Sequence, residues 1–391
     1  MRLRSLTLDQ FRSYAHCALT LEPGLTLVLG ENAQGKTNLL EAIYLLAVMR
    51  SPRAVSDGEL IAWSAPAPPV ARVAGVGTGS EGAVEVEIAI AARLATDGSV
   101  LRTKAGAPLV GKRVRRNGIA RLAGDVVGAM PAVLFTTLDI AIITGSPGTR
   151  RRYLDFTVAQ SDRAYARALG RYDKAVAQRN ALLKRIVQGQ ASLEEMGPWD
   201  DAVVEEGGTI IAGRARVVAE LAAIAPRYQT RLAAGRGERL EIAYAPALAR
   251  AAFEGESVED ARAALRAALR RLRPRERGAG TTLAGPHRDD VLFTLDGRAA
   301  GSYGSRAQQR SLALALRLAE ADVLRTRRGE EPILLLDDVF SELDDRRREA
   351  VIEATQGAEQ LLLTGTDPGH IPAGVSATAR WRVAEGQLSP A

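Results

Sequence analysis

The chain has one cysteine and three histidines, and aromatics make up only 4% of it. A lone Cys17 excludes an intramolecular disulfide. Its neighbour His16 has none of the further ligands that a metal site needs. No apolar run approaches the ~18 uninterrupted residues of a membrane span, and no N-terminal stretch has signal-peptide form. The expectation is a cytoplasmic protein with no membrane partner. Scarce aromatics argue against a single-strand-binding surface of aromatics interleaved with basic residues, and no helix-turn-helix or zinc-finger pattern is present. Lysine is the scarcest charged residue. Of 52 Lys and Arg, five are lysine (positions 36, 104, 112, 174 and 184) and 47 are arginine. The net charge of +6 allows an anionic partner without requiring one. A length of 391 residues suffices for two or three domains.

One of those five lysines stands in Gly30-Glu31-Asn32-Ala33-Gln34-Gly35-Lys36-Thr37, which fits G-x-x-x-x-G-K-[ST]. The apolar run Leu25–Leu29 precedes it and reads as a buried strand. Leu39, Leu40, Ile43, Tyr44 and Ala47 follow at helical spacing. A glycine-rich turn between strand and helix lets backbone N–H groups close around phosphate oxygens, with the helix N-terminus adding positive charge. Lys36 is placed to reach the β/γ-phosphates and Thr37 to bind Mg²⁺. Residues 30–38, through Asn38, are the candidate nucleotide contacts.

A second motif lies far away. Ile333–Leu336 is a continuous apolar strand ending in Asp337-Asp338. Carboxylates at the C-terminal end of a strand are where open α/β sheets place ligand chemistry. Asp337 is the candidate Mg²⁺ ligand and Asp338 the residue that orients an attacking water. The two halves stand roughly 300 residues apart, too far for a structureless loop, so the nucleotide-binding domain must be split by an inserted body.

The intervening sequence agrees. Strands are expected at Leu3–Leu8, Ala18–Leu21, Val70–Gly75, Val84–Ala92 and Val100–Thr103; on the fourth, Val84, Val86 and Ile88 alternate with Glu85 and Glu87. From about Arg150 the chain turns rich in Ala, Leu, Arg and Glu, with helices expected near 149–186, 191–232 and 257–272. A strand at Leu240–Tyr244 and another at Val291–Leu295 follow, then a helix from Ser305 to Arg325. Ser305 sits where an N-cap sits and could present a donor to phosphate.

These residues resemble the RecF family of ABC-type ATPases, whose heads also occur in SMC-like chromosome proteins. The resemblance covers essentially the whole chain. It rests on FRSY (Phe11–Tyr14), the phosphate loop, SPRAVSDGELI (Ser51–Ile61), ITGSPGTRRRYLD (Ile143–Asp155), QRNALLK (Gln178–Lys184), AGPHRDD (Ala284–Asp290), SRAQQR (Ser305–Arg310) and LLLDDVFSELD (Leu334–Asp344). It implies an α/β, ABC-type P-loop ATPase head, a mixed sheet with flanking helices, split by an inserted mainly helical domain. The expected boundaries are 1–140, 141–274 and 275–391. It implies ATP and Mg²⁺ as cofactors and an ATP-dependent homodimer. Ser305 and Gln308 would form a signature acting across the dimer, and Ser341 and Asp344 a communicating loop. Lys36, Asp338 and Ser305 are the implied catalytic residues. The implied role is in DNA replication, recombinational repair and the SOS response, with slow, DNA-stimulated ATP hydrolysis, RecR and RecO as partners, and recombinase loading at single-stranded gaps.

The sequence departs from the family pattern in three places. Ala307 stands at the usual signature glycine, where a φ > 0 requirement would strain it by ~1 kcal/mol or more. Thr136-Thr137-Leu138-Asp139 replaces a common Ser-Pro-Glu-Asp. Thr364 and Thr366 lie where a switch histidine is usual, with His370 beyond. Candidate DNA contacts are Lys112, Arg113, Arg115 and Arg116; Arg150–Arg152; and Arg266, Arg270, Arg271 and Arg273. They fit backbone-reading of duplex, gapped or junction DNA without sequence preference. Two other readings share the phosphate loop: a transporter-type ATPase subunit, disfavoured by the long stretch between loop and signature, and a small-molecule kinase, which leaves Ser305 and the SELD segment unexplained.

Overall fold

The computed structural model describes residues 1–103, 106, 108–233, 238–248, 257–367, 369 and 376–391. Lys104 and His370 lie outside these residues. The chain divides into two compact units, Met1–Asp139 with Arg317–Ala391, and Ile140–Leu316.

The first unit opens with β1 (Arg2–Phe11), β2 (Tyr14–Thr20), β3 (Gly24–Leu29) and the helix α1 (Lys36–Val48). β4 (Val70–Gly79), β5 (Gly82–Ala92), β6 (Val110–Arg116), β7 (Ile119–Arg121), the single turn α2 (Ala123–Val126) and β8 (Ala132–Thr136) follow. One sheet, ordered β2-β1-β4-β5-β6-β7, is antiparallel throughout. Its β5 behaves as the alternation predicts: Val84, Val86, Ile88 and Ile90 are buried and Glu85 is exposed. The strand expected at Val100–Thr103 does not form. Val100 and Arg102 make only isolated bridges, to Leu94 and Pro108, and β5 pairs instead with β6. Asp97 draws the chain into a turn by accepting from the Ser99 amide at 2.9 Å, and such side-chain bonds compete with a ladder.

The second unit contains α3 (Ile140–Thr144), α4 (Pro147–Ala159), α5 (Arg163–Val187), α6 (Gly197–Leu232), β9 (Leu240–Ala245), α7 (Val258–Ala279), β10 (Asp290–Leu295), β11 (Arg298–Ala299) and α8 (Ala300–Tyr303). The helix expected over 149–186 is two helices. Asp162 starts the second by accepting from the Tyr165 amide at 2.9 Å, an N-cap inside what reads as one periodic run. The helix expected over 191–232 begins at Gly197, after a 3-10 turn at Leu193–Met196. The next runs on to Ala279 with Pro274 inside it. The expected inserted body, 141–274, falls wholly within this unit. The unit continues to Leu316 because β9, β10 and β11 form their own three-stranded sheet and α6 packs against β9.

The chain returns to the first unit within α9 (Arg306–Arg328). β12 (Ile333–Asp337), α10 (Asp345–Thr355), β13 (Gln360–Gly365), β14 (Ala379–Ala384) and β15 (Gln387–Pro390) complete it. The second sheet of this unit is ordered β15-β14-β3-β13-β12-β8; its strands are parallel except for the β15 edge. Parallel strands covered on both faces read as continuous apolar runs, and β12 is buried at every position. α1 is buried on nearly all sides, which explains why its sequence is apolar all round.

Buried arginines knit the second unit together. Arg179, fully buried, donates to Asp200, Glu276 and Thr282 at 2.8, 2.7 and 2.9 Å. Arg214 donates to Asp155 at 2.8 Å and to the Pro286 carbonyl at 2.6 Å. Each guanidinium satisfies groups on several elements at once, which a lysine's point charge could not do. His287 completes the set. Its Nε2 lies 3.2 Å from the Thr282 carbonyl, which only accepts, so Nδ1 accepts from the Tyr172 hydroxyl at 2.7 Å. Burial pushes the His287 pKa down to about 4, and Arg288, Arg151 and Arg179 push the same way. Between pH ~6.5 and ~4 the unfolded chain binds a proton here that the folded chain refuses, so stability falls as pH falls through that window. Wild type should lose roughly 3 kcal/mol more than His287→Gln across it, measured by urea unfolding at fixed salt. Parallel pH profiles for the two would show that His287 does not titrate in this way.

Candidate nucleotide site

β3 runs parallel between β13 and β14, and β13 runs parallel between β3 and β12. The register pairs Val28 with Thr364 and Thr364 with Asp337. The loop after β3 and the acids ending β12 therefore share the C-terminal edge of one parallel sheet, with Thr364 between them. Such an edge forms the ligand crevice of open α/β sheets.

The loop is braced on several sides. The Gly30 amide donates to the Gly365 carbonyl at 3.3 Å. A Cβ at Gly30 would lie 2.5 Å from the Val383 carbonyl oxygen, so the backbone approaches closer than any side chain permits. Gly35 has φ 121°, in the region that favours glycine. Its carbonyl accepts from the buried Tyr14 hydroxyl at 3.0 Å. Gln34 accepts from the Glu385 amide on its side chain at 2.6 Å and from the Gly386 amide on its carbonyl at 3.2 Å. Glu31, Asn32 and Ala33 form the exposed rim, and Asn38 donates to the Ser13 hydroxyl at 3.0 Å.

Lys36 is 6% exposed and donates to the Gly30 and Glu31 carbonyls at 2.6 and 2.7 Å. Burial lowers its pKa, and the charges of Asp338 and Asp337 oppose that. Asp337 is 7% exposed. Burial raises its pKa against hydrogen bonds from Thr37 and Thr364 and the charge of Arg53. Thr364 donates to Asp337 at 2.8 Å and accepts from the Asp338 amide at 3.0 Å. Asp338 adopts the left-handed conformation, φ 51° and ψ 27°, which aspartate tolerates better than most residues. The Ser341 hydroxyl donates to its carbonyl at 2.8 Å, and Asp344 caps α10 by accepting from the Arg347 amide at 2.9 Å. Thr37 donates to Asp337, so a hydroxyl and a carboxylate converge, two donor types that hard, oxygen-seeking cations take.

In the second unit, Ser305 and Gln308 bond reciprocally at the start of α9. The Ser305 amide donates to Gln308 Oε1 at 2.7 Å, and the Gln308 amide donates to Ser305 Oγ at 3.2 Å. This is a capping box. It leaves Ser305 exposed, with its hydroxyl proton not needed by the cap. Ala307 lies inside α9 and is absent from the positive-φ residues, so this departure carries no backbone strain.

Sequence reasoning missed three contributors. Thr364 drew attention only as an absent histidine. Arg53 and Glu41 were passed over, yet Glu41 is completely buried in α1. It accepts from Arg12 at 2.9 and 3.1 Å and from the Ser51 hydroxyl, and pairs with Arg53 at 3.5 Å. A glutamate within Leu39-Leu40-Glu41-Ala42-Ile43 was the available signal, because a buried acid demands cationic partners. Several expected DNA contacts are engaged internally. Lys112 pairs with Asp57 at 2.8 Å, Arg150 with Asp290 at 2.6 Å, and Arg151 donates to the Asp289 carbonyl at 2.7 Å. Arg115 and Arg116 approach Glu87 and Glu81 at 3.5 and 3.9 Å, Arg266 approaches Asp201 at 3.7 Å, and Arg273 pairs with Asp200. Arg113, Arg152, Arg270 and Arg271 remain exposed. Among the described residues no helix is long and apolar enough to cross a membrane.

Residues 2–374 match the RecF/RecN/SMC N-terminal domain family. "DNA replication and repair protein RecF" of Roseiflexus castenholzii is 41% identical over 405 residues, covering 100% of each chain. The protein of that description from Chloroflexus aurantiacus is 41% identical over 402 residues, covering 99% of each. This chain belongs to the RecF family. A solved RecF structure described as RecF-ATP in the RecFOR pathway superposes with a TM-score of 0.84 at 29% identity, covering 100% of this chain and 97% of that one. An Smc head superposes at 0.51 with 14% identity, covering 100% and 98%, and shares the fold. RecF membership confirms the split ABC-type head and leaves the transporter-subunit and kinase readings without support. Within the RecF fold, the Arg12–Glu41–Arg53 cluster holds the loop at Ser51–Arg53 beside the phosphate-loop helix. Glu41→Ala should destabilise the chain by about 1–3 kcal/mol in urea unfolding, because it leaves the buried Ser51 hydroxyl and the half-buried Arg12 without their acceptor. A loss below about 0.5 kcal/mol would mean that these groups find water or other acceptors in its place.

Proposed function

We propose that this chain is an ATP-driven DNA clamp of replication and recombinational repair, acting in the cytoplasm as a homodimer that forms on nucleotide binding. One observation carries the proposal: a complete phosphate-loop and carboxylate site sits in the first unit, while the second unit presents an exposed, capped serine. The names of the relatives and the ATP-described RecF structure support it.

ATP supplies a polyphosphate that both halves of the dimer can grip, and Mg²⁺ screens its charge. Lys36 would leave its two carbonyl partners for phosphate oxygens. Thr37 and Asp337 would hold Mg²⁺. Asp338 orients a water and takes its proton. Ser305 and Gln308 of a second copy close over the phosphate. Dimerisation and DNA binding are then linked equilibria, each favoured by ATP. Hydrolysis is slow and DNA-stimulated, and it releases the clamp. Arg113, Arg152, Arg270 and Arg271 are the exposed candidates for phosphate-backbone contact. RecR and RecO are the proposed partners at single-stranded gaps, where the clamp aids recombinase loading.

The decisive experiment is light scattering with DNA titration on one sample, with and without Mg-ATP at fixed salt. Wild type should convert from monomer to dimer and bind duplex or gapped DNA more tightly. An unchanged mass and affinity would sink the clamp. Lys36→Ala should abolish ATP-dependent assembly by removing a charge from the phosphates. Asp338→Asn should bind ATP, assemble, and turn over slowly; wild-type turnover would remove Asp338 from the chemistry.

A further inference from the structure

The side-chain amide of Gln308 can face either way, and only one way completes the cap. Its oxygen must meet the Ser305 amide, as it does at 2.7 Å. What fixes that orientation is on the other side. Gln308 Nε2 donates to Glu238 Oε1 at 2.9 Å, and Gln229 Nε2 donates to Glu238 Oε2 at 2.9 Å. Glu238 is 8% exposed and stands just before β9, while Gln229 lies in the last turns of α6. A carboxylate only accepts. Turning the Gln308 amide over would set oxygen against oxygen at Glu238 and N–H against N–H at Ser305.

We propose that Glu238 is a positioning residue for the signature serine. It acts through Gln308 to hold the cap, so that Ser305 Oγ accepts from the Gln308 amide and keeps its hydroxyl proton for a phosphate oxygen bound to a second copy of the chain. This rests on the clamp reading. Ser305 faces outward with its acceptor side occupied before any partner arrives, and nothing in the first unit is required for that arrangement. Gln229 serves as a second donor that holds the carboxylate in place.

The hydrogen-bond polarity supplies its own test. Glu238→Leu leaves Gln308 Nε2 without its acceptor, so nothing holds that amide the right way round. Glu238→Gln still offers one oxygen to Gln308 Nε2, because Gln229 can turn its amide and accept from the new side chain through Oε1, which has no hydrogen-bond partner among the described residues. The measurements are ATP binding, by titration with a fluorescent ATP analogue on monomeric protein, and the ATP-dependent dimer constant, by light scattering. Glu238→Leu should bind the analogue within about twofold of wild type and weaken the dimer about tenfold or more. Glu238→Gln should recover most of that loss. A purely structural role for Glu238 would lower the melting temperature of Glu238→Leu without selective loss of assembly. Wild-type assembly by Glu238→Leu, or a folded Glu238→Gln that assembles no better than Glu238→Leu, overturns the proposal. Failure of wild type itself to assemble overturns the clamp reading instead.

Discussion

Asp337 sits at the end of a strand with no exposed residue, so its carboxylate has lost most of its water. Burial alone would drive it to the neutral acid. Thr37 and Thr364 oppose that with hydrogen bonds and Arg53 with charge. Each opposing group comes from a different part of the first unit: the start of α1, the end of β13, and the loop after Ser51. The parallel register that seats Thr364 between β3 and β12 is thus as much a condition of the site as the phosphate loop is. The loop's own bracing, from Tyr14, Gly365 and the turn between β14 and β15, depends on the same sheet order.

A chain whose ATPase head is interrupted for 177 residues must make the interruption rigid by itself. The second unit does so with polar cores as well as apolar ones. Arg179 and Arg214 each reach across several elements, and the AGPHRDD segment supplies acceptors to Arg214 as well as the neutral His287. Such arginines are poor evidence for stability, since similar packing by apolar groups often does as well. They do require one arrangement of partners, and so specify how the helices sit within the unit. That accounts for motifs such as QRNALLK and AGPHRDD being recognisable while lying away from the phosphate loop in sequence.

Much of this was legible in the sequence, and the reasons are local. The phosphate loop, the β12 acids and the alternation of β5 are carried by neighbouring residues with a fixed period. The split of the head followed from distance along the chain alone. What could not be read depends on which distant strands become neighbours. Thr364 gained its place from β-strand register, which no single segment encodes. The run Arg150-Arg151 looked like a nucleic-acid contact because composition shows charge but not its partners at Asp289 and Asp290. The break at Asp162 escaped notice because an acid within a periodic helix pattern reads as a solvated face until its side chain is seen capping.

The hydrogen bonds from Lys36 to the Gly30 and Glu31 carbonyls have a thermodynamic corollary. An anion that takes the ammonium has to compete with the loop's own backbone oxygens. A singly charged anion offers little beyond what the ammonium surrenders, whereas a polyphosphate of the kind the proposed function calls for offers several oxygens to the lysine and the loop amides at once. On that reading, the loop's preference would rise with the number of phosphates.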